Sequence, residues 1–110
     1  MREDSGFRSR VIRILLQIPY GKVVTYGTVA TLAGSPRAAR IVGGILHTSA
    51  EKLELPWQRV VNRDGYLSIR VGFLEAKSIQ KAMLESEGIE VSKDFMVNLE
   101  RYGWWGVEVA

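Results

Sequence analysis

A chain of 110 residues is sized for one compact domain, and 46% hydrophobic with 25% charged residues is the composition of an ordinary globule rather than a disordered chain. With no cysteine, disulfides, thiolate zinc sites and any cysteine nucleophile are excluded. Lys plus Arg number 15 against 12 Asp plus Glu, a net charge of +3 that suits a polyanionic partner without requiring one.

The opening residues Met1–Ser5 lack the apolar run of a secretory signal. No apolar stretch approaches the length of a membrane span, so an intracellular, membrane-free location is expected. Ser5 is placed to cap a first helix whose apolar face is Phe7, Val11, Ile14, Leu15 and Ile18, with Pro19-Tyr20-Gly21 ending it. Lys22-Val23-Val24 is a short extended piece. Thr25 then caps a second short helix that stops at Gly34. Ser35-Pro36 has the form of an N-cap followed by proline in the first turn, which predicts a third helix running to about His47. The tight Ala33-Gly34-Ser35 connection makes the pair a helix-turn-helix.

Thr48–Leu55 is expected to be a loop. Gln58–Val61 and Tyr66–Ile69 have the pattern of two strands around Asn62-Arg63-Asp64-Gly65, a hairpin. Leu74–Glu87 is a last helix closed by Gly88, and Tyr102, Trp104 and Trp105 in the tail are expected to lay an aromatic lid on the first helix. The predicted class is mainly α with a small β-hairpin, a winged helix-turn-helix, in one domain over residues 1–110.

The third helix carries the first functional signal. Helical spacing puts Arg37, Arg40, Gly44 and His47 on one face and turns Ala38, Val42, Ile45 and Leu46 toward the core. Glycine in a helix interior costs up to ~1 kcal/mol, so Gly43-Gly44 calls for a compensating benefit. The helix either presses into a groove while its arginines reach past it, or packs its glycines under another helix below a solvated basic face. These residues alone leave both open.

Gly21-Lys22-Val23-Val24-Thr25-Tyr26-Gly27, then Ala30, Ala33–Arg40 and Val42-Gly43-Gly44, resemble the DNA-binding domain of the O6-alkylguanine-DNA alkyltransferases. So do Pro56-x-x-Arg59-Val60-Val61, Gly65-x-Leu67 and Glu87-Gly88. The resemblance spans roughly Pro19 to Val91, with its motifs in the family's order. Where those enzymes have Pro-Cys-His-Arg-Val, this chain has Pro56-Trp57-Gln58-Arg59-Val60. An indole nitrogen is a donor only and an amide does not titrate, so both nucleophile and base are replaced. That combination resembles the alkyltransferase-like proteins, which keep lesion binding without the transfer chemistry. Leu67-Ser68-Ile69-Arg70 departs from the tyrosine- and glycine-rich segment usual in the transferases.

The resemblance implies roles. Tyr26 pushes on the phosphate backbone as the nucleotide rotates, and Arg40 fills the gap left in the stack. Arg37, Gly43 and Gly44 complete the DNA-facing surface, in a minor groove where sequence preference is weak. Trp57, Gln58, Val60 and Arg70 form the lesion pocket; the alternatives are a Trp57 that plugs an obsolete cavity and an Arg70 that is a surface residue at a strand end. Pro56, Arg59 and Glu87 support the loop structurally, and Thr48 or Ser49 falls near the family's asparagine hinge.

The implied partner is double-stranded DNA containing O6-alkylguanine, with nucleotide excision repair proteins as recipients of the signal. No catalytic residue, metal or cofactor is implied; the protein is expected to be monomeric, cytoplasmic beside DNA, or nuclear in a eukaryote. Two other classes remain: an enzyme using a different nucleophile, and a sequence-reading winged-helix regulator with a defunct pocket.

Overall fold

Alternation of valines sets the frame of the molecule. β1 (Val24–Thr25) pairs in parallel with β2 (Val60–Val61), with Val24 opposite Val60 and Thr25 opposite Val61. Side chains alternate across a strand, so Val24 and Val60 enter one hydrophobic core while Val23 and Val61 enter another. The computed structural model describes residues 6–68 and 76–106.

The first core lies among three helices: α1 (Phe7–Leu15), α2 (Tyr26–Leu32) and α3 (Ala39–Ser49). α2 packs most extensively on α3, and α1 lies against both. Val11 and Leu15 of α1, Val29 and Ala30 of α2, and Val42 and Leu46 of α3 are all buried there. Two α1 arginines pin the neighbouring helices: Arg10 Nε donates to the Ala33 carbonyl at 2.8 Å, and Arg8 Nη2 donates to the Ser49 hydroxyl at 2.8 Å. The second core gathers Leu67, Leu84, Ile89, Val91, Val97 and Tyr102 around the other side of the strands. α4 (Ala76–Ser86) packs against a 3-10 turn at Trp57–Arg59, and α5 (Leu99–Tyr102) leads into the tail.

Several local expectations hold. The Thr25 hydroxyl accepts from the Thr28 amide at 3.0 Å, capping α2. α4 ends as its glycine foretold: Gly88 has φ +85°, and the Ile89 and Gly88 amides donate back to the carbonyls of Leu84 and Glu85 at 3.1 and 3.0 Å, a Schellman closure.

Others are corrected. α3 begins at Ala39 with no side-chain cap, because Ser35–Ala38 close a separate turn in which the Ala38 amide donates to the Ser35 carbonyl. The helix then runs to Ser49, past His47. α1 stops at Leu15, ahead of Pro19, and its N-cap position is Gly6; Ser5 and Ile69 lie outside the described residues. Asn62–Tyr66 does turn, with the Asn62 side-chain oxygen accepting from the Asp64 and Tyr66 amides at 2.8 and 2.9 Å. No hairpin ladder follows among the described residues: β2 pairs with β1, and Tyr66 bridges to Met96. The tail divides its aromatics. Tyr102 fills the second core, Trp104 packs on the first, and Trp105 is exposed. The Trp104 amide donates to the Val23 carbonyl at 2.7 Å, so the tail is strapped to the lead of β1.

A buried carboxylate joins these parts. Glu87 Oε1 accepts from the Gly21 amide at 2.8 Å, and Glu87 Oε2 accepts from Gln58 Nε2 at 2.9 Å. Arg59 Nε reaches both carboxylate oxygens at 3.0 Å while its Nη1 donates to the Ile18 carbonyl at 2.8 Å. The Arg59 and Glu87 side chains are only 17% and 6% exposed, so water can replace little of this bonding.

Two predictions follow from this packing. Glu87→Ala strands Arg59, Gln58 and the Gly21 amide together, and should lower unfolding free energy by about 3 kcal/mol; a loss under 1 kcal/mol in urea denaturation would mean the network is water-compensated. A Cβ at Gly65 would stand 2.2 Å from the Val97 carbonyl oxygen at φ +88°, whereas one at Gly88 meets nothing within 4 Å. Gly65→Ala should therefore be destabilising by about 3 kcal/mol and Gly88→Ala by about 1 kcal/mol, the left-handed backbone alone.

Candidate nucleic-acid interface

Tyr26 is the first residue of α2, held there by the Thr25 cap, and its ring packs on the first core. Across from it α3 presents Gly43, where an added Cβ would lie 3.8 Å from the Tyr26 ring. Gly44 faces open space. The two glycines thus divide the alternatives left by the sequence: Gly43 backs onto an aromatic ring, and Gly44 leaves bare backbone on the surface. Arg40, in the first turn of α3, and Arg37, in the turn before it, are exposed, as is His47. Ala38, Val42, Ile45 and Leu46 are buried, as the helical spacing required.

Tyr26, Arg40, Gly43 and His47 line an open groove of about 750 Å³, together with Asn62 and Ser68. Burial raises the Tyr26 pKa, partly offset by its hydrogen bond to Ser68. The hydroxyl, like any phenol at neutral pH, is protonated, a neutral donor that an anionic oxygen can approach without repulsion. Beyond His47, which borders both spaces, lies a second cavity of about 470 Å³. Trp57, Leu46, Leu55, Ile79 and Met83 give it mainly apolar walls, with Gln58 at its edge. Tyr26 and Arg40 on one side and Trp57 and Gln58 on the other are thus brought to adjoining spaces.

The remaining predicted residues sit elsewhere. Val60 is wholly buried in the first core and pairs with Val24, so its side chain reaches neither space. Arg59 and Glu87 lie behind the loop in their network, and Pro56 precedes the 3-10 turn as its N-cap residue. Arg70 lies outside the described residues. Ser49 is buried on Arg8, and Thr48 donates to the Gly44 carbonyl at 3.0 Å.

Sequence reasoning missed three contributors. Gln80 is fully buried on α4 and donates to the carbonyls of Gln58 and Val60 at 3.0 and 3.1 Å, fixing the backbone of the Trp57 turn. Its signal was available: Ala76, Gln80 and Leu84 recur at i, i+4 and i+8 on the buried face, and a lone amide on such a stripe needs partners. Asn62 and Ser68 on the groove wall carried no signal beyond turn chemistry. Among the described residues no group of His, Asp and Glu has the arrangement of a metal site, and no helix is long and apolar enough to cross a membrane.

Known proteins resemble this chain in sequence and in fold. The chain is 47% identical over 104 residues to the DNA base-flipping protein of Escherichia coli, covering 94% of this chain and 78% of that protein. It is 37% identical to Alkyltransferase-like protein 1 of Schizosaccharomyces pombe, covering 94% and 98% of the two chains. The crystal structure of S. pombe Atl1 in complex with damaged DNA containing O6-carboxymethylguanine matches with a TM-score of 0.81, over 94% of this chain and 98% of that one. A Mycobacterium tuberculosis O6-methylguanine methyltransferase matches less completely, with a TM-score of 0.58 over 74% of this chain and 47% of that one, at 33% identity. Residues 6–89 match the model of the 6-O-methylguanine DNA methyltransferase DNA-binding domain, and the chain belongs to that family.

Proposed function

We propose that this protein binds O6-alkylguanine in duplex DNA by rotating the damaged nucleotide out of the stack, transfers nothing, and leaves the marked site to other repair machinery. The observation that carries this reading is the adjacency of the two spaces. A groove bordered by Tyr26 and Arg40 opens beside an apolar cavity walled by Trp57, with Gln58 at its edge, in a chain that has no cysteine. The relatives' names, DNA base-flipping protein and alkyltransferase-like protein, and the Atl1 complex with damaged DNA support it.

In this reading α2 and α3 act as a helix-turn-helix and the Asn62–Tyr66 turn as its wing. Extrusion of a base costs roughly a few kcal/mol, less for a damaged one. Arg40 offsets part of that cost by occupying the vacated stack, and Tyr26 meets the displaced phosphate with a protonated hydroxyl. Trp57 stands where the transferases keep their cysteine and offers the base or its alkyl group an indole face, with stacking contributing ~1–3 kcal/mol. Gln58 holds the Glu87 carboxylate as an amide, so the position that would serve a base is filled by a group that cannot take a proton at neutral pH. With no covalent step the complex forms reversibly, which suits a flag for a second system; nucleotide excision repair is the recipient the family implies.

Two variants separate the roles. Arg40→Ala should weaken binding to a lesion duplex about tenfold and abolish the fluorescence change of a flipped reporter base. Trp57→Ala should lower the ratio of lesion to undamaged affinity about tenfold while undamaged binding, supplied by phosphate contacts, holds within about twofold. Equal losses on both duplexes for Trp57→Ala would make the indole a plug, and unchanged flipping in Arg40→Ala would remove the arginine from the mechanism.

A further inference from the structure

Ile41 is the one large apolar side chain of α3 left exposed among the described residues, at 57%. It follows the exposed Arg40 and shares a stripe with Gly44 and Thr48 at helical spacing, i, i+3 and i+7. That stripe is chemically unusual for a DNA-facing helix. Gly44 offers bare backbone with nothing within 4 Å. Thr48 turns its hydroxyl back onto the Gly44 carbonyl at 3.0 Å. With that proton committed, the stripe has no side-chain donor left for a base edge. Methyl groups beside bare backbone instead match the apolar faces of deoxyribose, and Arg37, exposed one turn earlier, supplies charge that matches a phosphate beside them.

We propose that Ile41 is a positioning residue, an apolar wedge that enters the minor groove next to the base step where Arg40 acts and holds that step open. Apolar wedges of this kind unstack a step and let more protein surface reach the duplex. The inference rests on the reading that duplex DNA is the partner, but not on lesion recognition.

The test compares wild type with Ile41→Ala and Ile41→Met on one short duplex with and without O6-methylguanine, over a salt series. Because the side chain is exposed, the denaturation midpoint of each variant should match wild type. Ile41→Ala should lose about five- to tenfold affinity on both duplexes, with the slope of log affinity against log salt unchanged, since no phosphate contact is removed. Arg37→Ala, run alongside, should instead lower that slope by about one, and Ile41→Met should retain most of the affinity. Wild-type affinity in Ile41→Ala, or a loss accompanied by a changed salt slope, would overturn the wedge. If wild type shows no lesion preference and Ile41→Ala still weakens binding, the wedge stands and the lesion reading falls. If wild type binds neither duplex, both fall.

Discussion

The carboxylate of Glu87 is the point on which the geometry of this molecule turns. It lies just past the end of α4, yet it accepts hydrogen bonds from Gln58 and Arg59 in the 3-10 turn and from the Gly21 amide ahead of β1. Three segments distant in sequence meet at two oxygen atoms. A buried charge is tolerated only when paired and fully hydrogen-bonded, so these partners can move only as a unit. That fixes the backbone on either side of Trp57, and Gln80 fixes it again from α4 through the carbonyls of Gln58 and Val60. The indole that lines the apolar cavity is thus presented by a turn held from two directions, and preorganisation of that kind keeps a wall from collapsing into its own cavity.

The two-core plan explains how so small a chain keeps an open groove beside that wall. α1 holds α2 and α3 through Arg10 and Arg8, while the valine pair of β1 and β2 divides the cores. Tyr26 stands where β1 passes into α2, so its position is set by the strand pairing and the Thr25 cap rather than by the groove it borders. The face of α3 turned away from the core is free of such duties: Arg40, Ile41 and Gly44 are exposed and contribute little to holding the fold.

Much of this was legible in the residues. The core and exposed faces of α3, the Thr25 cap and the Gly88 closure were written in local chemistry, and local chemistry decided them. The start of α3 was not. Ser35-Pro36 has a helix-start pattern, but the chain spends it on a separate turn before Ala39. The hairpin failed for a different reason. Asn62–Gly65 does form its turn, yet Val60–Val61 finds its partner at Val24–Thr25, some 36 residues back along the chain, and periodicity cannot see a pairing of that range. The site divided along the same line. Arg40, Tyr26 and Trp57 came from motif resemblance and fell beside adjoining spaces. Val60 sits in the motif but points into the core, because strand alternation, not motif membership, decides which way a side chain faces.

The central claim is recognition without repair, and it is tested most directly by titrating the protein, at one stated salt concentration, into two duplexes identical except for a single O6-methylguanine. The complex is then dissociated and both protein and DNA are weighed by mass spectrometry. Tighter binding to the lesion duplex, an unchanged protein mass and a methyl group still on the guanine are the predicted result. Equal binding to the two duplexes, or a protein heavier by one methyl group, would contradict it.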